Sequence, residues 1–225
     1  MRALLPLILT ALLGTASAAN VPEILQAGFS PDGRHHLLLT AYVQDGSGLP
    51  TATLQVTDVR ANTILLRAEL TTREGASART VAQQLMTAQR AALTRYGLTR
   101  PLTGRRLFLK TFRAPVPWPQ PQALETLTAA GWTLALRTYP VPNACDDRAG
   151  RGLLPATLTP SGLSLRVNGV DLQHDARLPR SRACAAQYRL ETAWVYGRNL
   201  AVVVRAYTPG FEGPDVTPLV ITGRR

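Results

Sequence analysis

Apolar and β-branched residues occur along this chain in short runs, and turn-forming residues separate one run from the next. In the N-terminal part this pattern predicts four short strands, at residues 24–29, 35–43, 53–57 and 63–69. Ser30-Pro31-Asp32-Gly33 separates the first two, because proline sets φ for the start of a tight turn and glycine accepts a left-handed conformation. We therefore expect residues 24–69 to form a blade-like unit of four strands.

The same pattern returns in the second half of the chain and predicts further strands. They are expected at residues 106–112, 132–139, 156–158, 163–167, 170–174, 188–196, 200–207 and 216–222. Asn168-Gly169 is a strong signal for a two-residue hairpin turn. Residues 124–130 are predicted as a short helix. The fold class is predicted to be mainly β, a β-rich α+β fold built from antiparallel sheets.

One segment has clear helical periodicity, and it predicts a single prominent helix at about 77–96. Ser77 is a suitable N-cap, Gly97 follows the last turn, and apolar residues recur between them at helical spacing, at Val81, Leu85, Ala88, Ala92 and Tyr96. We expect the apolar side of this helix to cover a sheet. Farther along, prolines surround Trp118 and predict an extended connector that crosses the surface of the domain or docks on a partner.

The N-terminus has the features of a secretory signal peptide. Met1-Arg2 precedes an apolar run, and small residues follow it, which predicts a signal peptide over 1–18 with cleavage after Ala18. The apolar run is shorter than the roughly 20 residues that cross a bilayer, and no later segment is suitable, so we predict no transmembrane span. Residues 19–225 are predicted to be a single secreted domain that is periplasmic, in the cell envelope or extracellular.

Cys145 and Cys184 are the only cysteines. An even pair in an exported protein most often forms one disulfide, and we expect that bond here. The alternative is a thiol pair for exchange, which usually has Cys-x-x-Cys spacing beside a helix start. That spacing is absent from the sequence.

The chain is strongly basic, with a formal net charge of +11 and a pI near 10.9. Nearly all of the positive charge is arginine, since Lys110 is the only lysine. The arginines are scattered and are not interleaved with aromatic residues, so the sequence indicates no specific nucleic-acid binding. Two interpretations remain: a compositional bias toward arginine, and attraction to an anionic partner such as an envelope polysaccharide.

Several motifs resemble known families. The segment from Phe29 to Gly33, with the strand after it, resembles one blade of the TolB-type β-propellers, although a propeller needs several blades. A resemblance over most of the chain includes Gly28 to Gly33, Val43 to Pro50, the helix, Cys184 with Tyr188, and Pro209 to Asp215. These motifs are similar to the bacterial predicted secreted proteins called domain of unknown function 2259. That resemblance implies export and brings no activity, cofactor or partner.

The sequence indicates no catalytic residues, no metal site and no cofactor. His35 and His36 are adjacent, so on a strand they face opposite sides and cannot bind one metal ion together. Ser47 lies between glycines, but Asp45 stands where a nucleophile elbow needs glycine. Acidic residues are too few to favour a paired-carboxylate hydrolase.

Two loops are the best candidates for binding, because each bears glycine, an acid and a large apolar residue at the end of predicted strands. The candidate residues, together with the connector tryptophan, are Asp45, Ser47, Leu49, Trp118, Phe211, Glu212 and Asp215. The alternative for both loops is turn formation alone. We favour a non-enzymatic binding or structural module of the periplasm or cell envelope, with an unknown protein or envelope component as partner. An exported hydrolase of envelope polysaccharide or peptide, and an arginine-driven polyanion binder, are the other hypotheses.

Overall fold

The computed structural model describes residues 19–73, 75–112, 117–211 and 213–224. The predicted signal peptide, residues 1–18, lies outside this part of the chain. In chain order the helices and strands are β1 (Glu23–Phe29), β2 (His35–Val43), β3 (Pro50–Asp58), β4 (Thr63–Thr71), α1 (Ala78–Ala88), α2 (Arg90–Arg95), β5 (Arg105–Leu109), β6 (Leu124–Ala129), β7 (Trp132–Pro140), β8 (Ser161–Val167), β9 (Val170–His174), β10 (Gln187–Tyr196), β11 (Asn199–Pro209) and β12 (Pro214–Arg224).

The described strands form three antiparallel sheets of four strands each, which confirms the predicted mainly β fold. The N-terminal sheet has the order β1-β2-β3-β4, the central sheet β12-β11-β10-β5, and the outer sheet β6-β7-β8-β9. In the described part of the chain, neither α-helix has the length and apolar character needed to cross a membrane.

Alternation of side chains along the strands builds the three layers of core. On β2, Leu37 and Leu39 pack with Val81 and Leu85 of α1, so the helices cover one face of the N-terminal sheet. Leu38 faces the other way and joins a cluster with Phe29 of β1, Trp194 of β10 and Val203 of β11. The opposite face of the central sheet packs on the outer sheet. The central sheet is therefore buried between the other two.

The helical segment differs in one respect from its prediction. Ser77 caps α1 as expected, since its Oγ accepts the backbone N–H of Thr80 at 3.1 Å. The segment is divided at Gln89, where φ is −95° and ψ is 10°, and α2 begins at Arg90. Two consecutive short helices thus stand where the periodicity predicted one.

Two predicted elements are wrong. Residues 124–130 do not form a helix, because 124–129 are strand β6, which pairs along its whole length with β7. Ala130 and Gly131, with φ of 50° and 79°, make the tight turn between these strands. Residues 156–158 are not a strand, because the backbone turns there and the N–H of Leu158 bonds to the carbonyl of Pro155 at 2.8 Å.

The predicted disulfide is present between Cys145 and Cys184, with an S–S distance of 2.03 Å. It closes a segment with a sequence separation of 39 residues. Both cysteines are buried. Arg182, two residues before Cys184 in the sequence, forms an ion pair with the buried Asp175 at 2.8 Å.

Candidate functional site

A polar cleft lies between the N-terminal sheet and the β12 side of the central sheet. Its volume is about 170 Å³. The helices cover only one face of the N-terminal sheet, so the alternate positions of its strands are left to line the cleft. The lining residues with polar side chains are Thr40, Tyr42, Thr53, Gln55, Arg67 and Glu69 from this sheet, with Asn20, Thr208, Asp215 and Thr217 on the opposite side.

Asn20 joins the two predicted binding loops at this cleft. Its side-chain Oδ1 accepts the backbone N–H of Asp45 at 2.9 Å. Its own backbone N–H donates to Oδ1 of Asp215 at 2.8 Å, and its carbonyl accepts the N–H of Val216 at 2.9 Å. These two loops lie more than 150 residues apart in the sequence. Asn20 therefore holds them together through hydrogen bonds to both.

The loop between β2 and β3 is closed by its own hydrogen bonds. The N–H of Gln44 donates to the carbonyl of Leu49 at 2.9 Å, and the N–H of Gly48 donates to the carbonyl of Gln44 at 3.0 Å. The hydroxyl of Ser47 donates to Oε1 of Gln44 at 3.0 Å and accepts the N–H of Leu49 at 3.3 Å. Ser47 therefore shapes the loop, and Leu49 is partly buried within it.

The loop between β11 and β12 presents a large apolar side chain to solvent. Phe211 is 84% exposed, the highest exposure among the large hydrophobic residues described. Glu212, the next candidate, lies outside the described residues. Asp215 is partly buried at the start of β12, where it contacts Asn20 and lines the cleft.

Trp118 lies at the side of the cleft formed by Val216. It is partly buried and packs with Tyr207, Val216 and Val21. Val216 also lines the cleft, so the tryptophan of the connector contacts the wall of the site. The structure thus places Trp118 at the wall of the cleft beside the loop between β11 and β12, and it packs Trp118 on its own chain.

Burial and nearby charges both change the pKa of Tyr42, whose phenol lines the cleft. Partial burial raises the pKa of Tyr42, and the negative charges of Glu69 and Asp215 raise it further, while Arg67 acts in the opposite direction. The Tyr42 hydroxyl therefore remains a neutral hydrogen-bonding group at physiological pH. Glu69 also accepts a long hydrogen bond from the hydroxyl of Thr53 at 3.4 Å.

A second, more open groove lies at the opposite end of the N-terminal sheet. Its volume is about 810 Å³, and its lining includes Asp32, Arg34, Asp58, Arg60 and Arg224. Asp32 accepts hydrogen bonds from the hydroxyl of Ser30 at 2.6 Å and the N–H of Arg34 at 3.0 Å, and these bonds lower its pKa. Asp58 accepts the N–H of Ala61 at 2.8 Å. Both carboxylates therefore hold turns of the backbone.

The sequence predicted the two loops as binding candidates but predicted neither Asn20 nor the cleft. Asn20 belongs to no motif, and its partners lie 25 and 195 positions away. The polar alternation of β2, β3 and β4 was a usable signal for an uncovered face. It did not indicate which part of the chain would lie opposite that face.

The three sheets and the polar cleft define a β-rich protein whose candidate site lies between two packed sheets. A family model described as Predicted secreted protein (DUF2259) matches residues 38–224, and the chain belongs to that family. This membership agrees with the resemblance found in the sequence and supports export. No curated protein matches the chain. The likeness of β1 to β4 to a TolB-type blade stays a resemblance.

Proposed function

We propose that this exported protein is a non-enzymatic binding module of the periplasm or cell envelope, folded as a single domain, which holds an envelope component at the cleft beside Asn20. The observation that carries the proposal is the bridge from Asn20 to Asp45 and Asp215. A turn that serves only to reverse the chain has no need of a distant residue, whereas a binding site needs its loops in fixed relative positions.

The chemistry of the cleft favours a polar ligand. Hydroxyls, two amides, a guanidinium and two carboxylates line it, and these groups bond well to sugar hydroxyls and to amides. Phe211 adds an exposed aromatic face at the loop beside it, on which a sugar ring or an apolar side chain can pack. An envelope glycan or glycopeptide combines these features and is the ligand class that we propose.

Retention on purified envelope fractions, measured over a salt series, tests the proposal. We expect retention on one fraction to persist at salt concentrations that release the protein from heparin. Phe211→Ser should weaken it, while Val170→Ser should not, because Val170 is also exposed but lies on the outer sheet. Release from both matrices at the same modest salt would instead identify arginine-driven attraction to polyanions and overturn the proposal.

A second candidate function, an exported hydrolase, is favoured by one specific observation. Glu69 and Asp215 line the same cleft, and both act on Tyr42 through their charges. Paired carboxylates facing one cleft are the minimum requirement for glycoside hydrolysis. Release of soluble fragments from labelled envelope polysaccharide by the protein, abolished in Glu69→Gln, would support this candidate. Retention without turnover would support the binding module.

A further inference from the structure

Strand β4 is an open edge of the N-terminal sheet. Its nine residues, Thr63–Thr71, pair with β3 alone among the described strands. Ile64 and Leu65 on this strand are 55% and 40% exposed. An edge of this length presents a row of unpaired backbone N–H and C=O groups, which is a template for pairing with another strand.

The pairing with β3 determines which backbone groups of the edge are free. The N–H of Thr72 donates to the carbonyl of Pro50 at 3.2 Å, so Thr72 faces β3. In an antiparallel ladder these directions alternate residue by residue, and the register continues without a break from Thr71 to Leu66. The backbone groups of Ala68 therefore point toward β3, and those of Arg67 and Glu69 point away from the sheet.

We propose that a second copy of this chain adds to this edge, with β4 antiparallel to β4 around a twofold axis at Ala68. In this register the backbone of Arg67 bonds to that of Glu69 of the second copy, and the reciprocal pair repeats the contact. Each arginine then faces a glutamate on the same side of the joined sheet, and Leu66 faces Leu70. The edge is thus complementary to itself in both hydrogen bonding and charge.

Neighbouring registers lack this complementarity. An axis at Arg67 would place two arginines directly opposite each other, and an axis at Glu69 would do the same with two glutamates. Like charges directly opposite destabilise a strand pair. On the other side of the regular stretch, the ladder is irregular between Ile64 and Leu66, which limits how far the strands can slip.

The dimer would have a continuous sheet of eight strands, twice the four of the N-terminal sheet. Because Arg67 and Glu69 also line the cleft, the two clefts would lie side by side across the axis. Pairing through this edge does not depend on what the cleft binds.

Charge reversal with sedimentation velocity at about 0.15 M salt tests the pairing. We expect the wild-type protein to dimerise reversibly as its concentration rises. Arg67→Glu and Glu69→Arg alone each create like-charge pairs and should weaken self-association by about tenfold or more. A mixture of these two single variants should form a heterodimer, and the double variant R67E/E69R should dimerise like wild type.

Arg60→Glu is the matched control, because it makes the same charge change in the turn before β4 and should leave self-association unchanged. Hydrogen exchange provides a readout of the contact itself. The amides of Arg67 and Glu69 should gain protection as concentration rises, whereas that of Ala68 should be protected throughout. A monomer at all concentrations, single reversals that dimerise like wild type, or a mixture that stays monomeric would each overturn the proposal.

Discussion

The side-chain oxygen of Asn62 accepts the backbone N–H of Thr222 at 2.8 Å, which ties the turn after β3 to the edge strand of the central sheet. The amide nitrogen of the same side chain donates to the carbonyl of Leu172 at 3.2 Å and to Oε1 of Gln173 at 3.0 Å, both on β9. Asn62 has a φ of 53°, a conformation that asparagine tolerates better than most residues. One side chain therefore contacts both other sheets from a turn of the N-terminal sheet.

Replacing Asn62 should destabilise the fold in a way that separates hydrogen bonding from backbone strain. Asn62→Ala loses the side-chain bonds and also forces alanine into the left-handed region, and we expect a loss of about 3 kcal/mol in unfolding free energy. Asn62→Gly loses the same bonds without that strain and should cost about 1 kcal/mol less. Urea unfolding measures both values. Equal losses, or none, would contradict the interpretation.

His36 should make the protein sensitive to acid. It is fully buried, packs against Phe29 and Trp194, and neither ring nitrogen has a hydrogen-bond partner in the described chain. Burial lowers the pKa of His36 to about 3. Since the unfolded value is about 6.5, the unfolded state binds more protons between these values, and stability falls as pH drops through this window.

Urea unfolding of His36→Phe and wild type at several pH values measures this contribution. Below pH 6.5 the difference in stability should shift in favour of the variant by about 1.4 kcal/mol for each pH unit. Parallel curves for His36→Phe and wild type would show that His36 does not titrate in this range on unfolding.

The disulfide should contribute to stability mainly through the unfolded chain. With a separation of 39 residues, the chain-entropy model gives about 4 kcal/mol. In urea unfolding, the double variant Cys145→Ser/Cys184→Ser should lose about this amount of unfolding free energy. The wild type should lose a similar amount when its disulfide is reduced. A reductant that destabilises the double variant as well would point to a different cause.

The buried Asp175 forms a two-bond ion pair with the partly buried Arg182, at 2.8 and 3.1 Å. Burial by itself raises the pKa of Asp175, but the hydrogen bond and charge of Arg182 outweigh it, so the pKa is lowered. Asp175→Asn leaves the partly buried arginine without its counter-charge, and we expect a loss of about 3 kcal/mol, the lower end for a buried pair.

The double variant Asp175→Asn/Arg182→Met provides the control for that loss. It removes both charges and should recover part of the stability, because no lone buried charge remains. Thermal unfolding of the three proteins at pH 7 distinguishes the cases. A double variant that is less stable than Asp175→Asn would mean that the pair contributes beyond charge compensation.

Local patterns were sufficient for most strands, because a half-buried strand carries its alternation in its own residues. They failed for 124–129, where Leu124 and Leu127 have helical spacing while Glu125 is buried by distant partners. Glu125 pairs with Lys110 and accepts the N–H of Leu190 at 2.9 Å. Those contacts come from other parts of the chain, and they override the local preference.

For the candidate site, the sequence indicated the two loops but not which other parts of the chain would contact them. Turn residues at Asp45 to Leu49 mark a loop from local chemistry alone. The meeting of this loop with Asp215 depends on how the N-terminal and central sheets pack. No local pattern contains that arrangement.

The position of Asn20 near the predicted N-terminus of the exported chain means that N-terminal processing can change the candidate site. Asn20 is the second residue after the predicted cleavage site, so a chain that starts at Ala19 retains the bridge between the loops. Trimming by only two residues removes that bridge and leaves every strand intact. A protease that removes Ala19 and Asn20 from the exported chain would therefore break the hydrogen bonds that join the loops, while the residues of every described strand remain in the chain.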